Sequence, residues 1–213
     1  MFTSQLYAID AARVGIRENA AKIQILRLKL KRAIFLDRDG TLNPDPGYIS
    51  NPDDFELFPG VVEALKKLYS AGFLLVIVTN QSGLSRGLIK EEQLQSIHQK
   101  LKKILKISGI ELAGIYYCPH HPDFTYIDGL ADCECRKPKP GLIYKAIEEL
   151  EIDPVDSFMI GDKLSDIEAA INAGVSPVFI GNNLPQKYRT VPNFLCLNDA
   201  ADWILAGEDL YNF

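Results

Sequence analysis

The chain has 213 residues, 47% of them hydrophobic and 24% charged, with a formal net charge of −5; this is the profile of one globular domain able to bury a sizeable core. An acidic balance argues against non-specific nucleic-acid binding, which needs positive patches. No apolar run approaches the roughly 20 residues of a membrane span, so neither nucleic acid nor membrane is expected as a partner, and a cytoplasmic location is expected.

Residues 1–32 are basic: Arg13, Arg17, Lys22, Arg27, Lys29, Lys31 and Arg32 stand against Asp10 and Glu18. The stretch "IQILRLKLKRA" is broken by charge and lacks the apolar core of a secretory signal. It reads as an N-terminal helix or arm added to a domain spanning 33–213, with no chemistry of its own. A monomer is expected, with the arm as the element that could mediate dimerisation.

From residue 33 the pattern alternates. "AIFL" (33–36), "LLVIVT" (74–79), "GIYYC" (114–118), "SFMIG" (157–161) and "PVFIG" (177–181) have the apolar, β-branched character of buried strands. Helical periodicity fills the intervals: "PGVVEALKKLYSAG", "KEEQLQSIHQKLKKIL", "PGLIYKAIEEL", and "LSDIEAAINAG", which closes at Gly174 as a left-handed cap. Alternation of this kind predicts an α/β fold, a parallel sheet with helices on both faces. Ligands in such folds sit beyond the carboxyl ends of the strands. Asp37, Thr79 and Asp162 each follow a strand directly or end it, so all three should emerge on one edge.

Asp37 and Asp39 are two residues apart, and paired carboxylates repel unless a cation intervenes. Mg2+ suits them, since it takes hard oxygen ligands and needs only one or two carboxylates beside a phosphate. "GDKLSD" (161–166) offers Asp162, and Asp166 one helical turn later. "TNQSG" (79–83) offers a hydroxyl, an amide and backbone N–H groups for phosphate oxygens. In "CRKPKPG" (135–141) Lys137 can neutralise a phosphoryl oxygen.

"DRDGT", "TN", a lysine before proline and "GDKLSD", in that order between residues 37 and 166, resemble the haloacid dehalogenase superfamily of phosphohydrolases. The resemblance implies a Rossmann-like three-layer sandwich. It implies that Asp37 is the nucleophile and that Asp39 is the general acid, then base. Mg2+ would be held by the Asp37 carboxylate, the Asp39 backbone carbonyl and Asp162. Thr79 and Lys137 would grip the phosphoryl group. Asp166 would orient Lys137 or a metal-bound water, a role compatible with simple first-turn helix stabilisation.

Cys118, His120, Cys133 and Cys135 form C-x-H followed by C-x-C, the ligand set of a closed structural Zn2+ site. Disulfides are not expected without an export signal. With His120 as ligand, His121 points away, towards solvent or substrate. A metal clip would fold the loop 118–135, which otherwise lacks core-forming pattern, and would aim Arg136 and Lys137 at the substrate. Cys196 reads as a buried small side chain, and His98 as surface or satisfied core.

The sequence leaves no room for the large cap common in the superfamily, so loops must shape the pocket. Among capless, zinc-clipped members the chain resembles two branches, one acting on heptose bisphosphates and one on histidinol phosphate. "GYI…FELFPGV", "IYYCPHHP" and the long zinc loop favour the first. The expected partner is therefore a small sugar bisphosphate. Its distal phosphate would meet Arg136, whose planar fork matches phosphate, while Asn80, Ser82, Arg86 and Lys163 would bind hydroxyls or that phosphate. A non-catalytic phosphate-binding module is the contrasting reading; the intact set of Asp37, Asp39, Lys137 and Asp162 argues against it.

Overall fold

The computed structural model describes residues 30–123 and 133–209. The expected N-terminal arm falls almost wholly outside them, as does the middle of the zinc loop. Six strands form one sheet: β1 (Ala33–Leu36), β2 (Leu74–Asn80), β3 (Leu112–Cys118), β4 (Phe158–Gly161), β5 (Ser176–Ile180) and β6 (Asn193–Phe194). Their order is β3-β2-β1-β4-β5-β6 and every pairing is parallel. Five helices are described: α1 (Val61–Ser70), α2 (Glu91–Ile107), α3 (Gly141–Leu150), α4 (Leu164–Ala173) and α5 (Leu197–Asp209).

Strand residues alternate between two cores, as a period of two dictates. Ile34, Leu36, Leu75 and Ile77 face one way, onto Leu65 and Leu68 of α1, Ile97 and Leu101 of α2, and Ala201 and Ile204 of α5. Ala33, Phe35, Val76, Val78 and Met159 face the other way, onto Ile143 and Ala146 of α3 and Ala169 and Ala170 of α4. Because both faces are covered, the strands read as continuous apolar runs rather than alternating ones. The result is the three-layer α/β sandwich that the alternation predicts, and α4 closes at Gly174 with φ +72°.

Chain direction reverses its lateral progress between β1 and β4, which lie side by side although two strands separate them in sequence. This is the switch point at which a parallel sheet opens a crevice. Two sequence readings need correction. The short β6 was not anticipated, since two residues carry no periodicity. Cys196, expected in the core, is exposed: it lies in the short link between edge strand β6 and α5, outside both of the described cores. No described helix is long and apolar enough to cross a membrane.

Candidate active site

The site is built at the switch point. Leu36 of β1 is level with Ile160 of β4, and the Asp37 N–H continues the ladder to the Ile160 carbonyl at 3.0 Å. Asp37 and Asp162 therefore leave neighbouring strands at the same edge. Side-chain oxygens of Asp37, Asp162 and Asp166 all lie within 4.8 Å of one another. Thr41 Oγ1 donates to Asp162 Oδ1 at 3.0 Å. Even so, burial first and then the charge of Asp37 raise the Asp162 pKa above its ordinary value, against the opposing pull of Lys163. Hard oxygens converging in this way fit Mg2+.

Two glycines make this convergence sterically feasible. A Cβ at Gly40 would overlap the Asp162 carboxylate, and one at Gly161 would overlap that of Asp166. Gly40 also adopts φ +92°, a conformation that side-chain-bearing residues resist.

Lys137 supplies the opposing charge. It is buried, and its Nζ donates to Asp37 Oδ1 at 2.8 Å and to the Val78 carbonyl at 2.6 Å, and pairs with Asp166 Oδ1 at 2.6 Å. Burial works against its charge, but Asp166 and Asp37 outweigh burial and hold its pKa above the ordinary lysine value. Two carboxylates thus share one ammonium, and burial first, then the charge of Asp37 against the pull of Lys137, push the Asp166 carboxyl up to about 6. The second oxygen of Asp166 accepts from the Lys163 N–H at 3.0 Å, so it caps α4 while orienting Lys137. Its Oδ1 lies against the Lys137 ammonium but accepts no hydrogen bond among the described residues, and Asp166 stands with Asp37 and Asp162 in the carboxylate cluster that could hold a cation.

Asp39 is held differently. Arg38 Nε and Nη2 donate to Asp39 Oδ1 at 3.1 and 2.9 Å, and Nη2 also reaches Oδ2 at 2.7 Å. Asn43 Nδ2 donates to Oδ1 at 2.9 Å, and Gln81 Nε2 to Oδ2 at 2.7 Å. Gln81 Nε2 also donates to Thr79 Oγ1 at 3.0 Å, which ties the end of β2 to the second aspartate.

These groups surround a cavity of about 380 Å³, lined by Asp37, Asp39, Thr79, Lys137 and Asp166 at its floor and by Asp45, Tyr48, Ser82, Arg136 and Lys163 at its rim. Of the residues expected to bind substrate, Ser82, Arg136 and Lys163 line this cavity, Lys163 with its Nζ on Asp45 Oδ2 at 2.8 Å. Asn80 lines it too but is engaged with the backbone of Lys137, accepting from its N–H and donating to its carbonyl, each at 3.1 Å. Arg86 is not among the lining residues; its Nη1 donates to Tyr48 Oη at 2.6 Å, behind the rim. Asp45, Tyr48, Arg38 and Gln81 escaped the sequence reading. Three of them lie inside motifs that the sequence displays, Arg38 in "DRDGT", Tyr48 in "GYI" and Gln81 in "TNQSG", but no role was attached to them.

Where β3 ends, Cys118 meets His120, Cys133 and Cys135, with ligand atoms within 4.8 Å of one another. The Cys118 sulfur lies 3.5 Å from that of Cys133 and 3.2 Å from that of Cys135. His120 Nδ1 is 3.2 Å from the Cys135 sulfur and 3.6 Å from that of Cys118. Such separations are far beyond an S–S bond and near the ~3.7 Å edge of a tetrahedron with ~2.3 Å arms, so the donor set fits Zn2+. His121 turns away, accepting from the Asp123 N–H at 3.1 Å. Arg136 Nη1 donates to the His120 carbonyl at 2.9 Å, so the cysteine–histidine cluster and the cavity rim share a direct contact.

Comparison with known proteins agrees with this geometry. The sequence profile of haloacid dehalogenase-like hydrolases matches residues 44–174. D-glycero-beta-D-manno-heptose-1,7-bisphosphate 7-phosphatase of Yersinia pestis is 44% identical over 174 residues, 81% of this chain and 89% of that protein. The enzyme of the same name from Escherichia coli (strain K12) is 43% identical over 174 residues, 81% of this chain and 87% of that protein. D,D-heptose 1.7-bisphosphate phosphatase from B. bronchiseptica, solved in complex with magnesium and phosphate, superposes with a TM-score of 0.72 at 33% identity, covering 83% of this chain and 99% of that one. With its acidic strand ends at the switch point of a parallel sheet, the chain belongs to the haloacid dehalogenase-like hydrolases.

Proposed function

We propose that the protein is a Mg2+-dependent phosphatase that removes the C7 phosphate of D-glycero-β-D-manno-heptose 1,7-bisphosphate. The observation that carries this reading is the meeting of Asp37, Asp162 and Lys137 at one strand edge, beneath a rim that presents Arg136. The names of the relatives described above support the substrate.

Asp37 attacks phosphorus in line with the departing C7 oxygen and becomes an aspartyl-phosphate. Asp39, facing the same cavity, gives a proton to that oxygen and later takes one from the water that hydrolyses the intermediate. Thr79 and Lys137 bind the peripheral phosphoryl oxygens, where the charge lies. Asp37, Asp162 and the Asp39 backbone carbonyl would hold Mg2+, which when bound supplies the positive charge that lets the acidic groups and the phosphate coexist. Arg136 stands at the rim for the phosphate at C1.

The test is a steady-state comparison of both anomers of the heptose bisphosphate, fructose 1,6-bisphosphate and histidinol phosphate. The β-heptose bisphosphate is expected to give the highest kcat/KM, and Arg136→Ala to raise its KM while barely affecting histidinol phosphate. Equal losses on both esters would remove Arg136 from recognition of the distal phosphate. A preference for histidinol phosphate would overturn the substrate assignment.

We further propose that Zn2+ occupies the cysteine–histidine cluster in a structural role. Chelation should make the chain susceptible to proteolysis between residues 118 and 135 without loss of the sheet's circular dichroism. A digestion pattern indifferent to chelator would count against the clip.

A further inference from the structure

Arg38 occupies an unusual place for a guanidinium: its side chain is 2% exposed, and burying a charge is expensive unless it is fully paired. Its Nε and Nη2 are spent on Asp39. Its remaining nitrogen, Nη1, lies 3.3 Å from Nε2 of His98. His98 belongs to α2, on the stripe that also carries Leu94, Leu101 and Leu105. Burial and then the charge of Arg38 push its pKa down to about 3, so the ring is neutral. Because Arg38 can only donate, Nε2 is the acceptor and Nδ1 carries the proton. Around this pair the packing is aromatic. The Phe55 ring sits 5.9 Å from the guanidinium. The Tyr117 ring packs 5.7 Å from the imidazole, and Tyr117 Oη donates to Glu91 Oε1 in the first turn of the same helix at 2.6 Å.

We infer that His98 and Arg38 are positioning residues for the proton transfer: His98 fixes the guanidinium, and the guanidinium fixes the plane and reach of the Asp39 carboxylate. The inference rests on the assignment of Asp39 as general acid under the proposed function. An unpartnered aspartate side chain in a loop, as Asp39 would be three residues past β1, can rotate about two bonds. General acid catalysis needs its oxygen within hydrogen-bond reach of the leaving oxygen, and displacement of a reacting group by about 1 Å can cost roughly 10²-fold. Arg38 grips both Asp39 oxygens with a planar fork, which specifies an orientation as a point charge does not. Asn43 and Gln81 complete the grip from other directions. Without an acceptor at position 98, the buried Nη1 would lose its partner, and the guanidinium would be free to turn and carry Asp39 with it.

The distinguishing readout is the dependence on leaving group. Esters of strongly acidic phenols depart without a proton, whereas phenyl and alkyl phosphates need one. His98→Leu is expected to lower kcat/KM, which reports the steps up to departure of the leaving group, by about 10-fold or more on phenyl phosphate and on the heptose bisphosphate. On 2,4-dinitrophenyl phosphate kcat/KM should change little, while kcat should fall because Asp39 must still activate the hydrolytic water, and Mg2+ affinity should be unaltered. His98→Gln, whose amide oxygen can accept from Arg38, should recover most of the loss. Arg38→Lys, which keeps the charge but loses the fork, should show the same asymmetry, and it serves as the test if His98→Leu does not fold. A loss of equal size in kcat/KM across all leaving groups would mean a merely structural role, and unchanged kinetics in the variants would mean no role; either overturns the inference. If the wild-type chain releases phosphate from none of these esters, the phosphatase reading falls first and takes this one with it.

Discussion

Asp37→Asn should abolish turnover, with kcat reduced by at least about 10⁴-fold. An amide has nearly the shape of a carboxylate but no nucleophilic oxygen, so the fold should survive the change. Lys137 Nζ keeps an acceptor in the new side-chain carbonyl, together with Asp166 and the Val78 carbonyl. Acid-quenched single turnovers check the result: wild type should trap a phosphorylated chain and the variant none. Residual activity within about 10-fold of wild type would place the nucleophile elsewhere. Binding of phosphate without turnover by wild type would instead favour a phosphate-binding module.

The second large effect should come from Lys137→Met. Lys137 is 3% exposed and lies between Asp37 and Asp166, so methionine removes the one ammonium that these buried carboxylates share. Breaking a buried ion pair by deleting one partner typically costs about 3–5 kcal/mol, because the remaining charge is left uncompensated. A fall of that size in unfolding free energy at neutral pH is expected from denaturant titration in metal-free buffer, with near-total loss of activity. The pH dependence has a definite sign. Asp166 is pushed up to about 6 even beside Lys137; without the lysine it should hold its proton to higher pH still. A carboxyl that binds protons more tightly when folded adds stability as pH falls, so the gap between variant and wild type should narrow on acidification through pH 6. A gap that widens instead would mean that the lost stability came from packing of the lysine stem.

The catalytic edge was legible because it is written in local sequence. Each expected chemical group follows or ends a strand, and a parallel sheet delivers all strand ends to one side, so sequence alone places Asp37, Thr79 and Asp162 together. The cysteines were legible for a similar reason: spacing of two residues lets each pair face one point. What escaped depends on tertiary contact. His98 sits on an apolar stripe and has no local feature that marks it; its partner Arg38 is 60 positions away and looks like a solvated basic residue between two acids. Arg86 and Asn80 show a different gap. Their polarity suggested ligand contact, and sequence gives no sign of the protein partners they also hold, Tyr48 for Arg86 and the Lys137 backbone for Asn80. Composition shows which residues can bind an anion, not which are already occupied by the protein.

Gly40 and Gly161 carry a consequence for how such a protein can diversify. Each abuts a carboxylate so closely that one methyl group would displace it, so mutation cannot remodel the acidic rim gradually. The cavity's entrance, by contrast, is lined by Asp45, Tyr48 and Arg136 in loops. New esters can therefore be recruited by rewriting the entrance alone, an unchanging engine behind an exchangeable front door.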